Sequence, residues 1–194
     1  MNLKQYLAIA GGCGLLFLGG IQAFGQTTAK KYFTKEGHIK FHSETAMETI
    51  EADNHKSTSV LDLESGAMEF AVLIKAFEFE KALMQEHFNE NYMESDEFPK
   101  SKFKGKITNL GDVNFEEAGT YTVKVGGDLT IHGQTNPVET EGTLEVGKDG
   151  NVKALSSFVV KPADYGIKIP AIVVEKIAEG ITISVDLDYQ PFTR

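Results

Sequence analysis

The chain has 194 residues, a formal charge of −9 and 24% charged residues. An acidic balance of this size repels nucleic acid and anionic membrane surfaces, so neither is an expected partner. The one cysteine, Cys13, falls in an N-terminal apolar run, which excludes thiol nucleophiles and thiolate metal sites from everything that follows.

Residues 1–25 read as a secretory signal peptide. Lys4 gives a positive start, residues 7–21 are apolar and glycine-rich, and Ala23-Phe24-Gly25 supplies small residues before Gln26. The run is short for a bilayer span of ~20 residues, and Ala10-Gly11-Gly12 is a poor match to a lipoprotein cleavage site ahead of Cys13. The expectation is an exported chain, periplasmic or secreted, with no membrane span after cleavage. Residues 26–194 then form a single domain, without repeats or a low-complexity linker. Monomer and homodimer both stay open.

In chain order, residues 26–31 are a polar leader and Glu36-Gly37 is a predicted turn. Residues 38–42 alternate as a strand, residues 47–52 form a weaker one, residues 53–56 read as a turn, and a strand follows near 58–63. After Ser65-Gly66, Met68, Phe70, Val72 and Ile74 alternate with Glu69, Ala71 and Lys75. Residues 78–90 place Phe79, Leu83, Met84, His87 and Phe88 at helical spacing, which predicts an amphipathic helix. A loop over 91–100 leads to a strand over 102–107, where Lys100, Lys102, Lys104 and Lys106 mark a solvated face.

The clearest pattern lies between Tyr121 and Val146. Tyr121, Val123, Val125, Leu129 and Ile131 share one parity and Thr122, Lys124, Asp128, Thr130 and His132 the other, the signature of a half-buried strand. Gly133 to Asn136 breaks the run and the alternation resumes, which predicts a long hairpin. A turn at 147–151, a strand over 152–161, an irregular stretch over 163–170 and a short helix over 171–179 follow. Residues 181–189 then alternate without interruption.

The sum is about eight antiparallel strands with one inserted helix, all-β. Each strong strand has one polar face, so the strands must share one apolar interior. Eight strands close a barrel wide enough for packed side chains or one ligand; a two-sheet sandwich would give the same alternation. Predicted apolar lining comes from Phe41 in the first third, from Phe70, Val72 and Ile74, from Phe103, from Val123, Val125, Leu129 and Ile131, from Phe158, and from Ile183 and Val185. Leu83, Met84 and Phe88 are candidates for a helical lid across one mouth.

Residues 125–138, VGGDLTIHGQTNPV, resemble the "G-x-L-T-l-H-G-x-T-x-P-V" signature of the YceI-like family. Residues 97–103, EFPKSKF, are similar to that family's "yP-x-a-x-F" element, and residues 164–167, DYGI, to its "dfGi" element. The resemblance spans roughly residues 35–189. It implies a lipocalin-like antiparallel barrel, export, and binding of a long isoprenoid or other lipid chain inside the barrel. Residues 43–63 depart from the family pattern, being compressed and polar and lacking its "v-x-G-x-F" step.

No chemistry competes with that reading. The chain has no Gly-x-Ser-x-Gly, no phosphate-cradling glycine loop and no calcium-loop pattern. Of the five histidines, His38 and His42 are four apart, but on a strand that is ~13 Å, too far for bonds near 2 Å to one ion. His132 and Gly133 are accounted for by a turn, with a headgroup contact from His132 or Thr135 as the functional alternative. Asp186 and Asp188 lie on a polar strand face, where solvated acids belong. The expectation is a binding protein without catalytic residue, metal or cofactor. The alternative is a barrel filled by its own side chains, a structural or envelope-stress interaction module without ligand.

Overall fold

The computed structural model describes residues 31–192; the predicted signal peptide lies outside them. Nine strands run in chain order: β1 (Lys31–Glu44), β2 (Thr49–Asp62), β3 (Ala67–Leu73), β4 (Glu78–Phe79), β5 (Lys100–Ile107), β6 (Gly119–Ile131), β7 (Gln134–Val146), β8 (Val152–Val160) and β9 (Ile181–Pro191). They pair antiparallel in the order β1-β9-β8-β7-β6-β5-β3-β2, and β1 pairs with β2 to close the ring. The two-residue β4 adds only a short patch on β2, so the fold is a closed eight-stranded barrel rather than a sandwich.

The β6–β7 hairpin pairs along its whole length, from Gly119↔Val146 to Ile131↔Gln134. Its turn is shorter than the predicted break at residues 133–136. His132 (φ 49°) and Gly133 (φ 74°) make a two-residue connection with both central residues in the left-handed region, whose twist suits a hairpin. Thr135 and Asn136 belong to β7.

Two predicted turns are strand interior. Residues 53–56 lie within β2, and Glu36-Gly37 lies within β1. The polar run is local irregularity in a continuous pair: the register passes from Gly37↔Ser57 to Ile39↔Asn54, so β2 carries one extra residue there. Asn54, fully buried, fixes this bulge. Its Oδ1 accepts from the Lys56 N–H (2.9 Å) and its Nδ2 donates to the Leu73 carbonyl (2.8 Å). A side chain at Gly37 would run into Leu187, so close packing, not a turn, requires the glycine there.

The predicted helix over 78–90 is also shorter. Glu78 and Phe79 pair with Asp53 and Ala52 of β2, and α1 spans only Ala82–His87 before widening into a π turn over Phe88–Tyr92. The reason is aromatic packing: Phe79 is drawn into a cluster with Phe41 and Phe88, which holds its backbone extended. Residues 171–176 form a 3₁₀ segment where a short helix was expected over 171–179.

One end of the barrel is sealed. Tyr32, Leu61, Met68, Ile107, Val123, Leu144, Val152, Leu187 and Tyr189 form one buried cluster, backed by Leu110, Val113 and Phe115 from the β5–β6 connection. At the other end the strands splay. β7 and β8 pair only from Gly142↔Ser156 to Val146↔Val152, and β2 leaves β3 beyond Ser57↔Val72. Residues 162–167 lie against β7 on one side, where Asn136 Nδ2 donates to the Asp164 carbonyl (2.8 Å) and Tyr165 is buried among Leu129 and Val160. The β4–α1 segment covers the other side.

Candidate functional site

The barrel encloses an apolar cavity of about 210 Å³ between the sealed end and the splayed end. One water needs only ~10–15 Å³ on the same measure, so this is a hollow and not a packing defect. All twelve residues predicted as lining stand on its wall: Phe41 from β1, Phe70 and Val72 from β3 with Ile74 just after it, Phe103 from β5, Val123, Val125, Leu129 and Ile131 from β6, Phe158 from β8, and Ile183 and Val185 from β9.

Ile74, Val123 and Leu129 are buried, but the other nine are half-buried although their strand parity points them inward. In a close-packed interior inward apolar residues lose nearly all their accessible surface. Here the remaining surface faces the hollow. The alternation repeats on seven of the eight long strands, whose inward positions meet the same empty axis.

Two glycines keep the bore open. Gly105 and Gly127 are register partners across β5 and β6, and the Phe103 ring lies over them. A Cβ on Gly105 would meet Phe103 Cζ at 2.4 Å and one on Gly127 at 2.9 Å. Phe103 can therefore lie flat against the wall, where it meets Phe70 edge-on at 6.0 Å.

Of the three candidate lid residues, the cavity wall includes one. Phe88 is on the cavity wall, in edge or tilted contact with Phe41, Phe77 and Phe79 at 6.0, 5.5 and 5.0 Å. Leu83 is 60% exposed and Met84 half-buried, and neither lines the cavity. With α1 only six residues long, its apolar stripe cannot extend across the opening. Wall residues outside the strands that sequence periodicity missed include Phe77, Met93, Pro162 and Ile167. All four sit in irregular segments, where no period assigns a facing.

His132 does more than form the turn. Its Nε2 is 2.8 Å from Glu94 Oε2, its Nδ1 is 3.3 Å from the Tyr165 carbonyl, and the Phe98 ring meets its edge at 4.6 Å. It thus joins the β6–β7 turn to residues 162–167 and to the loop that follows the π turn. Tyr121, expected inward, stands at the edge of the sealed end with its hydroxyl donating to the Glu117 carbonyl (3.0 Å).

The wall offers little for proton chemistry. Among its residues Lys102 is the one ionisable side chain, and it is exposed. The hydroxyls of Thr140 and Ser156 already donate to the Glu141 carbonyl. The buried polar pair Ser59 and Tyr189, 2.6 Å apart, lies off the cavity, and burial pushes the Tyr189 phenol well above its usual range. An arrangement of this kind can take up apolar surface and excludes little beyond what its shape excludes. Among the described residues no helix is long and apolar enough to cross a membrane.

Comparison with known proteins agrees with the geometry. The model of the YceI-like domain family matches residues 21–189. Comparison with curated proteins gives no match. Among solved structures, a polyisoprenoid-binding domain from Saccharophagus degradans superposes with a TM-score of 0.73 at 10% identity, over 84% of this chain and 99% of that one. BcnA of Burkholderia cenocepacia gives 0.65 at 14% identity, over 79% and 96%. The YceI protein of Campylobacter jejuni gives 0.52 at 14% identity, over 99% and 100%. At these identities the structural likeness speaks for the fold, and the family match, which covers most of the sequence, speaks for descent: the chain belongs to the YceI-like domain family.

Proposed function

We propose that this protein is an exported carrier that holds the long apolar chain of a lipid, polyisoprenoid-like, inside its barrel and performs no chemical step on it. The observation that carries the reading is the hollow itself: inward apolar residues on seven of the eight long strands keep accessible surface toward an interior that their own side chains leave empty. Each CH₂ transferred from water to that wall contributes ~0.8 kcal/mol, so affinity would follow chain length, and selectivity would follow shape. The polyisoprenoid-binding domain that shares the fold supports the same ligand class. The hollow weighs against the alternative of a barrel filled by its own side chains.

Native mass spectrometry after detergent-free purification tests the reading. The expected result is a co-purifying apolar mass, or stoichiometric uptake of a long-chain isoprenoid on titration. A ligand-free barrel that also refuses every long-chain lipid offered would overturn it.

A further inference from the structure

The bulge in β2 gathers three metal-ligating side chains on the outer wall, away from the cavity. His38 Nε2 lies 2.7 Å from Asp53 Oδ1, and the His55 ring stacks on the His38 ring at 4.3 Å with an interplanar angle of 11°. One donor atom from each residue lies within 4.8 Å of the others. We propose that His38, Asp53 and His55 form a binding site for a divalent first-row cation of the Zn²⁺ type.

Three observations carry the assignment. First, the donor set is two imidazoles and one carboxylate, which suits Zn²⁺ or Cu²⁺ and not Ca²⁺ or Mg²⁺, which require oxygen ligands. Second, the site is built by backbone irregularity. The extra residue in β2 brings Asp53 and His55 together against His38 across the strand pair, and the bulge is held from inside by the two hydrogen bonds of Asn54. Bulges re-aim side chains in this way beside functional sites.

Third, neighbouring charges are already engaged. Lys40 pairs with Glu51 at 3.0 Å, and Asp186, the register partner of His38 on β9, pairs with Lys153 at 2.5 Å. Lys153 is thus engaged on β9, and Lys40, whose charge also acts on its register partner Asp53, holds its closest ion pair with Glu51. Tetrahedral ligands at 2.0–2.1 Å from Zn²⁺ are about 3.3 Å apart. Reaching that spacing opens the His38–Asp53 contact from 2.7 Å and draws in His55, whose donor lies within 4.8 Å, and the side chains that move are half-exposed, with His38 34% and Asp53 45% exposed. Three protein ligands leave a fourth position to water. The histidine that joins His38 is therefore His55 across the strand pair, and not His42 along the strand.

The test is calorimetric titration of ZnCl₂ into the tag-free protein, repeated on H38A, H55A, the double variant, and H42A as control. All three positions are on the outer wall, and a thermal melt of each metal-free variant checks that it is folded. One ion per wild-type chain is expected, with affinity reduced at least about tenfold in H38A and H55A, abolished in the double variant and unchanged in H42A. Absence of saturable binding to wild type would overturn the proposal, as would a folded double variant that binds like wild type, or loss of binding in H42A instead. Lipid uptake by the double variant should match wild type, so this site and the cavity stand or fall separately.

Discussion

Glu94 and His132, 38 residues apart, are the two non-glycine residues in the left-handed region among the described residues, and they contact each other. Their φ angles are 43° and 49°, and Glu94 Oε2 is 2.8 Å from His132 Nε2. Such conformations cost of order 1–3 kcal/mol each and persist where surrounding structure over-determines them. Here the turn of the β6–β7 hairpin, the segment after α1 and the Tyr165 carbonyl meet at one imidazole.

Substitution at His132 separates the turn from the tie. Asparagine tolerates the left-handed region, so H132N should keep the hairpin and lose the contacts to Glu94 and Tyr165. The expected cost is about 1 kcal/mol in a urea or thermal melt, since Glu94 is half-exposed. H132V, which cannot relax into that backbone without strain, should cost clearly more. Equal losses in the two variants would show that the ring, and not the backbone, sets the stability.

The Tyr189–Ser59 pair predicts behaviour in alkali. Burial raises the Tyr189 phenol, with the Ser59 hydrogen bond acting in the opposite direction. The folded chain therefore favours the neutral phenol. Its contribution is whole below the unfolded value near about pH 10 and is lost as pH rises toward the raised folded value. Y189F should cost about 1–2 kcal/mol at neutral pH by leaving Ser59 unpaired, and should flatten the fall above pH ~10. Tyr32 and Tyr165 are also raised by burial, so the measured quantity is the difference in slope. An unchanged slope in Y189F would exclude Tyr189 as its source.

Filling the hollow should separate binding from folding. Val125 stands on the wall of β6 and is half-buried beside empty space. V125F adds a ring where no side chain now sits, so the melting temperature should hold or rise. Each pair of displaced CH₂ contacts removes ~1.6 kcal/mol of lipid binding, about tenfold. Titration with a long-chain isoprenoid reads the loss directly; undiminished binding by V125F would move the ligand elsewhere.

α1 offers a paired comparison. Phe88 packs on Phe41, Phe77 and Phe79 at the splayed end, so F88A should cost about 2 kcal/mol, less than a fully buried phenylalanine, and should weaken lipid uptake. Leu83 is 60% exposed, and L83A should change stability by less than ~0.5 kcal/mol. Matching effects of the two variants on uptake would restore the helix as a lid.

Export is an expectation that rests on residues 1–25. Expression in a bacterial host followed by mass spectrometry of the extracytoplasmic fraction should find a mature chain beginning at Gln26. A full-length product retained with the membranes would replace the signal peptide by an anchor.

The barrel was legible in the sequence wherever inward positions are apolar. β6 and β9 alternate cleanly and were bounded almost to the residue. β1 and β2 were not, because their inward positions include Ser43, Asn54, Ser57 and Ser59, small polar residues that are all buried. The bulge at residues 54–57 also shifts the parity midway. Polar residues inside a strand look like a turn when only the sequence is in view. The cavity wall was legible for the same reason as the strands, and Phe77, Met93, Pro162 and Ile167 were not, because only tertiary packing turns those segments inward. The His38–Asp53–His55 group depends on strand register, which no spacing along one strand encodes.

The facing glycines of β5 and β6 set the calibre of the molecule. Phe103 can recline because Gly105 and Gly127 have no side chains to prop it up. A methyl group at either position would meet the facing strand's backbone as well as the Phe103 ring, with Gly126 O 2.4 Å from a Cβ on Gly105 and Gly105 Cα 2.4 Å from one on Gly127, so the β5–β6 pair would have to part and the ring to lift. Within this architecture, the closeness of two strands and the recline of one ring are both set by two missing β-carbons.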